Sequence, residues 1–96
     1  MRIIKPGSIY AVANFREGEQ IISFTEKVDG QHVDGTTNEE VIDMLIERLH
    51  TINQKKFSPE NIAMIHLLDA CRRIANKRLS RKRSRVKSYE QQQSSS

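Results

Sequence analysis

From residue 38 onward the apolar positions recur at the spacing of a helix. Val41, Ile42, Leu45, Ile46, Leu49 and Ile52 return at intervals of three and four, while Asp43, Glu47, Arg48 and His50 lie mostly off that stripe. This predicts a helix over about 38–53. Thr36 or Thr37 can cap it through the hydroxyl, and Glu39 or Glu40 three residues on completes a capping box. Gln54-Lys55-Lys56-Phe57 is long enough only to reverse the chain, and Ser58-Pro59-Glu60-Asn61 restarts it with a cap, a proline at the first helical position and an acid in the first turn. The second helix, over about 59–84, is therefore an antiparallel neighbour of the first. Before residue 29 the texture differs. Ser8–Phe15 is rich in β-formers, Arg16–Glu19 supplies a turn and Gln20–Val28 returns, so a β-hairpin is predicted over about 8–28. Asp29-Gly30 and Asp34-Gly35 punctuate the connection to the helices.

The second helix has more apolar surface than one antiparallel partner covers. Ile62, Ile65, Leu68, Ala75 and Leu79 form one stripe, and Met64, Leu67, Cys71 and Ile74 form another beside it. The surplus is assigned to an interface between protomers, with contact against the hairpin as the alternative. Two strands alone are marginal in water, so the hairpin also needs cover from the helices, from a second copy, or from both. The fold class expected is α+β: an N-terminal antiparallel β-hairpin, then an antiparallel two-helix hairpin, in a homo-oligomer. A chain of 96 residues with 36% apolar residues and no Trp makes one small domain, placed over 1–87, and self-association suits its modest core. Gln91-Gln-Gln-Ser-Ser-Ser96 belongs to an expected disordered tail over 88–96.

The formal charge of +4 conceals a polarity. Residues 1–71 hold 7 Lys/Arg and 11 Asp/Glu, a net of −4, whereas residues 72–96 hold 9 Lys/Arg and Glu90 alone, a net of +8. Cys71 is the single cysteine, which excludes a disulfide within the chain, and no signal-peptide-like apolar segment is present at the N-terminus. A reducing cytoplasm is the expected setting. No apolar run approaches the roughly 20 residues a membrane span requires.

Chemistry concentrates in the basic stretch. Lys77, Arg78, Arg81, Lys82, Arg83, Arg85 and Lys87 follow the last apolar positions. One account is a solvated helix end whose cations complement the helix dipole. The other is a phosphate site, since Arg78 and Lys82, four apart, share a face one turn past the apolar stripe. Arg78 would offer a fork of donors to phosphate oxygens and Lys82 a mobile point charge. Asn61, near a helix start, can present its amide to a base or ribose with help from free backbone N–H groups; it can equally be a plain capping residue. His32, His50 and His66 show no spacing suited to zinc, and Cys71 sits on an apolar face without a base. There is no Gly-rich phosphate loop and no nucleophile motif, so neither an enzyme nor a cofactor or metal site is expected. A nucleic-acid-binding or regulatory protein is the alternative, because so many cations attract any phosphate backbone. Against it stand the absence of interleaved aromatics and the acidic N-terminal part.

The block TTNEEVIDMLIERLHTINQKKFSPENIAMIHLLDACRRIANKR resembles the two-helix hairpin shared by small phage proteins that disarm bacterial signalling immunity. With the preceding strands and the join IISFTEKVDGQHVDGTTNEEV, the chain is similar over roughly 8–85 to the first Thoeris anti-defence family rather than to its anti-CBASS cousins. The resemblance implies a molecular sponge: a homo-oligomer, a hexamer by family likeness, that acts in the host cytoplasm. It would hold a cyclic nucleotide messenger without cleaving it. The messenger implied is a glyco-cyclic ADP-ribose, with cyclic oligonucleotides as further ligands of some members.

Carried over by residue, the family's pocket Asn falls on Asn61 and its two cations on Arg78 and Lys82, seventeen and twenty-one residues later. The family's aromatic at the end of the first helix falls on Ile52, a departure that gives up ring stacking of about 1–3 kcal/mol per base. Phe57 or Tyr10 are the aromatics that would compensate. Where some relatives carry an Arg for a second, trinucleotide pocket, Pro59 stands here, and Lys27 is the remaining candidate for that pocket.

Overall fold

The computed structural model describes the backbone over residues 1–94 and the side chains over residues 1–81. Five short strands precede two helices, and the fold is α+β. The strands are β1 (Arg2–Lys5), β2 (Ile9–Ala13), β3 (Glu19–Ser23), β4 (Glu26–Val28) and β5 (Gln31–Val33); the helices are α1 (Asn38–Lys55) and α2 (Pro59–Ser94). The chain divides into two compact units, Met1–Val41 and Ile42–Ser96, where the sequence pattern suggested a single domain over 1–87.

In the first unit β1, β2 and β3 form an antiparallel sheet in that order. The heart of the expected hairpin is present, with Ile9 opposite Ser23 and Ala13 opposite Glu19. Its extent differs from the expected 8–28 in two ways. Arg2–Lys5 adds a strand, pairing Arg2 with Ala11 and Ile3 with Tyr10. The return strand ends at Ser23, one ladder bond short of where the backbone turns away: Phe24 N–H still donates in register to the Ser8 carbonyl (2.8 Å), but Thr25 N–H donates to Thr36 (2.8 Å) and Thr36 N–H to Ser23 (2.8 Å). Glu26–Val28 then pairs with Gln31–Val33 as a separate hairpin. Asp29 and Gly30 both take positive φ, 51° and 80°, as a two-residue type I′ turn demands.

Gly35 is needed where the Thr36 segment lies against Phe24. A Cβ there would stand 2.5 Å from the Phe24 carbonyl carbon and 2.7 Å from both the Ser23 oxygen and the Thr25 nitrogen, all backbone atoms that cannot swing aside. Around it, Tyr10 meets Phe24 edge to face at 5.9 Å and its hydroxyl accepts from Gly7 N–H. Ser8, almost fully buried, donates its hydroxyl to Glu26, which also pairs with Lys5 at 3.0 Å. Arg2 and Glu19 pair across the sheet at 3.0 Å.

α1 begins at the end of the first unit with a cap on Thr37, whose Oγ1 accepts the Glu40 N–H at 3.2 Å, as the capping box requires of its first half, and runs on from Ile42 in the second unit. Lys56–Ser58 reverses the chain, and Asn53 Oδ1 accepts the Ser58 N–H at 2.7 Å. Far from that turn, Arg72 of α2 reaches Asp43 of α1 at 2.7 Å, so the two helices run antiparallel. The half-buried positions of α2 are Asn61, Ile65, Leu68, Arg72 and Ala75, spaced 4-3-4-3. They form the stripe turned to α1, where Ile42, Ile46, Leu49, Ile52 and Asn53 are likewise half-buried. α2 has 36 residues against 18 in α1, so its C-terminal half runs past its partner. The helix continues to Ser94, beyond the end expected near residue 84 and into the segment expected as tail.

A core is nearly absent. Among the described side chains only Ala11 and Ser8 are buried. Among the described residues no helix is long and apolar enough to cross a membrane.

Two consequences are measurable. Gly35→Ala should destabilise the first unit by about 2 kcal/mol, at the level of overpacking a tight site, read as a lowered denaturant midpoint; an unchanged midpoint would show that the segment yields freely. Glu19 and Glu26 titrate below the ordinary carboxylate value of 4.5, Glu19 chiefly through the hydrogen bond from Arg2, Glu26 through that from Lys5 and then that from Ser8. Their stabilising effect is complete above the unfolded value and fades as pH falls through the lower folded values. Thermal melts should therefore hold steady above pH 5 and drop below about pH 4, and Glu26→Gln should flatten that drop.

Candidate ligand-binding site

The residues singled out in sequence lie at two ends of α2. Asn61 is in its first turn, half-buried, its backbone N–H donating to the Ser58 carbonyl at 3.1 Å. Ile52 is close by in sequence and structure, half-buried in the last turns of α1, with its carbonyl accepting from Lys56. Arg78 is exposed on α2, seventeen residues on, which at 1.5 Å per residue is about 26 Å along the helix axis. The backbone at Lys82 is helical and a turn further along; its side chain lies outside the described residues. Lys27 is exposed on β4, in the other unit. Within one chain, then, Ile52 and Asn61 flank the turn between the helices, while Arg78 and the backbone of Lys82 lie far along α2.

Electrostatics separate the cations of this chain into two populations. Arg2, Lys5, Arg72 and Arg73 each hold a carboxylate: Glu19, Glu26, Asp43 and Asp69. Among the described residues no carboxylate stands within ion-pair distance of Lys77, Arg78 or Arg81. Nor do these three end a helix. Since α2 continues to Ser94 with no base in its last turn, the negative pole of its dipole lies more than ten residues beyond them. Complementing the helix end does not account for them.

A shallow open hollow against α2 is lined by Asn76, Lys77, Ser80 and Arg81. Lys77 and Arg81 form a second cation pair spaced by four, adjacent to Arg78 and Lys82 on the helix surface. Sequence reasoning passed over this pair although its spacing is the same. Of the two aromatics offered as substitutes for Ile52, Tyr10 is engaged with Phe24 and Gly7, whereas Phe57 is about two-thirds exposed in the turn between Ile52 and Asn61. Phe57 is thus the aromatic standing at the Asn61 end. At the same end Glu60 is held in its charged form, first by the Ser58 hydroxyl and then by a backbone hydrogen bond.

Cys71 is free and exposed rather than buried. Among the described residues no cluster of His, Cys, Asp or Glu is arranged to hold a metal ion. Comparisons with protein-family models, with curated proteins and with solved structures found no match to this chain.

Proposed function

We propose that this protein is a non-catalytic sponge that binds and sequesters a cyclic nucleotide messenger as a homo-oligomer in the cytoplasm of a bacterial host. A glyco-cyclic ADP-ribose is the first ligand to test, and cyclic oligonucleotides the second. Arg78 and Lys82 hold the phosphates, Asn61 orients the base or ribose, and Ile52, aided by Phe57, packs on the base; Lys27 is assigned to a separate pocket.

The observation that carries the reading is the position of Arg78. It is exposed, without an ion partner among the described residues, and continues at the same 4-3-4-3-4 spacing the exposed stripe Glu60, Met64, Leu67, Cys71, Ile74. A cation at the border of an apolar interface has what a small anionic ligand needs: an unspent charge beside a surface that excludes water once a neighbour arrives. A ligand only about 10 Å across cannot span the roughly 26 Å from Asn61 to Arg78 in one chain, so the reading requires more than one copy.

Isothermal titration calorimetry with cyclic ADP-ribose isomers and cyclic di- and trinucleotides tests it. The wild-type protein should bind one member of the panel saturably and return it intact on denaturation. Arg78→Ala should weaken binding by about 10- to 100-fold, the loss of charge-assisted hydrogen bonds worth about 1.5–3 kcal/mol, with helicity and assembly unchanged. Cleaved ligand, or an Arg78→Ala variant that binds like wild type, would sink the proposal. Tight binding to DNA or RNA that collapses steeply with added salt would replace it with the nucleic-acid reading.

A further inference from the structure

The loop between β2 and β3 holds an apolar side chain fully in water. Phe15 is 101% exposed, more than any other large apolar residue among those described. The loop itself is closed from within. Asn14 N–H donates to the Gly18 carbonyl (2.9 Å), Asn14 Nδ2 donates to the Glu17 carbonyl (2.9 Å), and Asn14 Oδ1 accepts from Gln20 Nε2 (3.1 Å). Gly18 completes the turn at a φ of 82°, with Asn14 Nδ2 only 3.2 Å from where a Cβ would stand. We propose that this loop is a nucleobase-binding site, on which Phe15 stacks an unpaired adenine, Gln20 reads its edge and Arg16 holds the attached phosphate. All three residues belong to the first unit, and the site does not rest on the function proposed above.

The described aromatics of this unit divide by what they do for the fold. Tyr10 and Phe24 pack edge to face, whereas Phe15 buries no surface. A ring left in water contributes nothing to the monomer. Fixed on a closed loop, it can stack on a ligand without a further cost for ordering the backbone.

The surroundings choose the ligand. Asn14, Arg16 and Glu17 are polar and exposed, so Phe15 has no apolar rim of the sort that seals an anchor residue into a protein pocket. Arg16 and Glu17 leave the loop tip formally neutral, and a neutral tip draws in neither an anionic bilayer nor a polyphosphate by charge alone. A single ring among donors and acceptors suits a small flat partner with apolar faces and polar edges, which describes a base. Among the described residues Gln20 makes one side-chain hydrogen bond, to Asn14, which leaves its Oε1 and second amide hydrogen for that edge. An amide of this kind matches adenine, donating to N7 and accepting from N6. Glu19 is paired with Arg2, and no carboxylate stands within ion-pair distance of Arg16 among the described residues. The Arg16 guanidinium therefore keeps its fork of donors for a phosphate.

The chain has no Trp, so Phe15→Trp puts the protein's single indole on the loop tip, where a stacked base quenches its fluorescence. Titration with AMP should give saturable quenching at unchanged lifetime, the mark of a stacked complex rather than of collisions. About 10-fold more UMP should be needed, since it lacks the adenine edge, and ribose 5-phosphate, which has no base, should do nothing. A second measurement removes the site on α2 first. In an Arg78→Ala background, the broadening of AMP proton lines by the full chain should vanish with Phe15→Ser, and Arg16→Ala should weaken AMP about 5-fold while leaving adenosine unchanged. Phe15 and Arg16 are exposed, and circular dichroism checks that the fold is kept. A short single-stranded oligoadenylate that saturates the indole far below the AMP concentration would assign the base to RNA; equal affinity per base assigns it to a free nucleotide. An indole that AMP leaves unquenched, or AMP broadening that survives Phe15→Ser in that background, would overturn the site. If AMP quenches the indole while no cyclic nucleotide is taken up, the loop site stands and the sponge falls; uptake of a cyclic nucleotide by a chain whose indole ignores AMP does the reverse.

Discussion

A helix with two apolar faces cannot be satisfied by one neighbour, and within its own unit α2 has α1 beside it. The 18 residues of α1 reach along half of its 36 and cover one of its stripes, and even the covered positions stay half-exposed. Burial of a Leu or Ile side chain contributes about 1.5–3 kcal/mol, and ordering each residue costs about 1–2 kcal/mol in backbone entropy. Among the described side chains only Ala11 and Ser8 are buried, which offsets little of that cost. On the proposed reading, further copies of the chain supply the missing contacts. This one deficit explains why the hairpin's turn is fixed by Asn53 and its far end by the Asp43–Arg72 pair: polar fasteners set the geometry of two helices whose apolar contact is thin.

The charge distribution follows from the same constraint. Arg2, Lys5 and Arg72 are paired with carboxylates, so their fields are largely cancelled locally. Lys77, Arg78 and Arg81 stand where α2 has outrun its partner, with no acid within ion-pair distance among the described residues. Exposed in water, a single such charge is worth little to any ligand, because the solvent screens it. At the edge of a surface that becomes buried on assembly, the same charge acts across a lower dielectric. Its attraction for phosphate then exceeds that of an exposed pair.

The helices were legible because their signals are local. Thr37 and Ser58 mark the starts, and the three-and-four spacing of Ile42, Ile46 and Leu49 is strong enough to survive thin tertiary contact. The strands were less so. Arg2–Lys5 is too short for alternation to show, and the run Gln20–Val28 reads as one strand because nothing in it announces that Phe24 will bond to Ser8 and Thr25 to Thr36. Asp29-Gly30 did carry a usable signal, the favoured type I′ dipeptide between β-formers, but it was read as a connector. In the site, residue types and spacing pointed to Arg78 and Asn61. Their separation along α2 was implicit in the numbering, yet it becomes a constraint only when one unbroken helix is seen to hold both. The end of α2 was misjudged for a physical reason: polar, charged residues propagate a helix well, so loss of apolar period need not end one.

Placing the two halves of a site at opposite ends of one rod has a thermodynamic effect that a compact pocket lacks. If a ligand needs groups from both ends, it binds the assembled form and not the lone chain, and mass action makes each bound ligand a further stabiliser of the assembly, by RT ln(1 + [L]/Kd). Such an apparatus gains from weak intrinsic association, since protomers that pair only marginally when empty are drawn together as the messenger accumulates. The thin core and uncovered stripe of α2 would then be part of the function rather than a defect of the fold. On the proposed reading, low stability of the isolated copy would couple capture of the ligand to completion of the structure, and a better-packed monomer would lose that coupling.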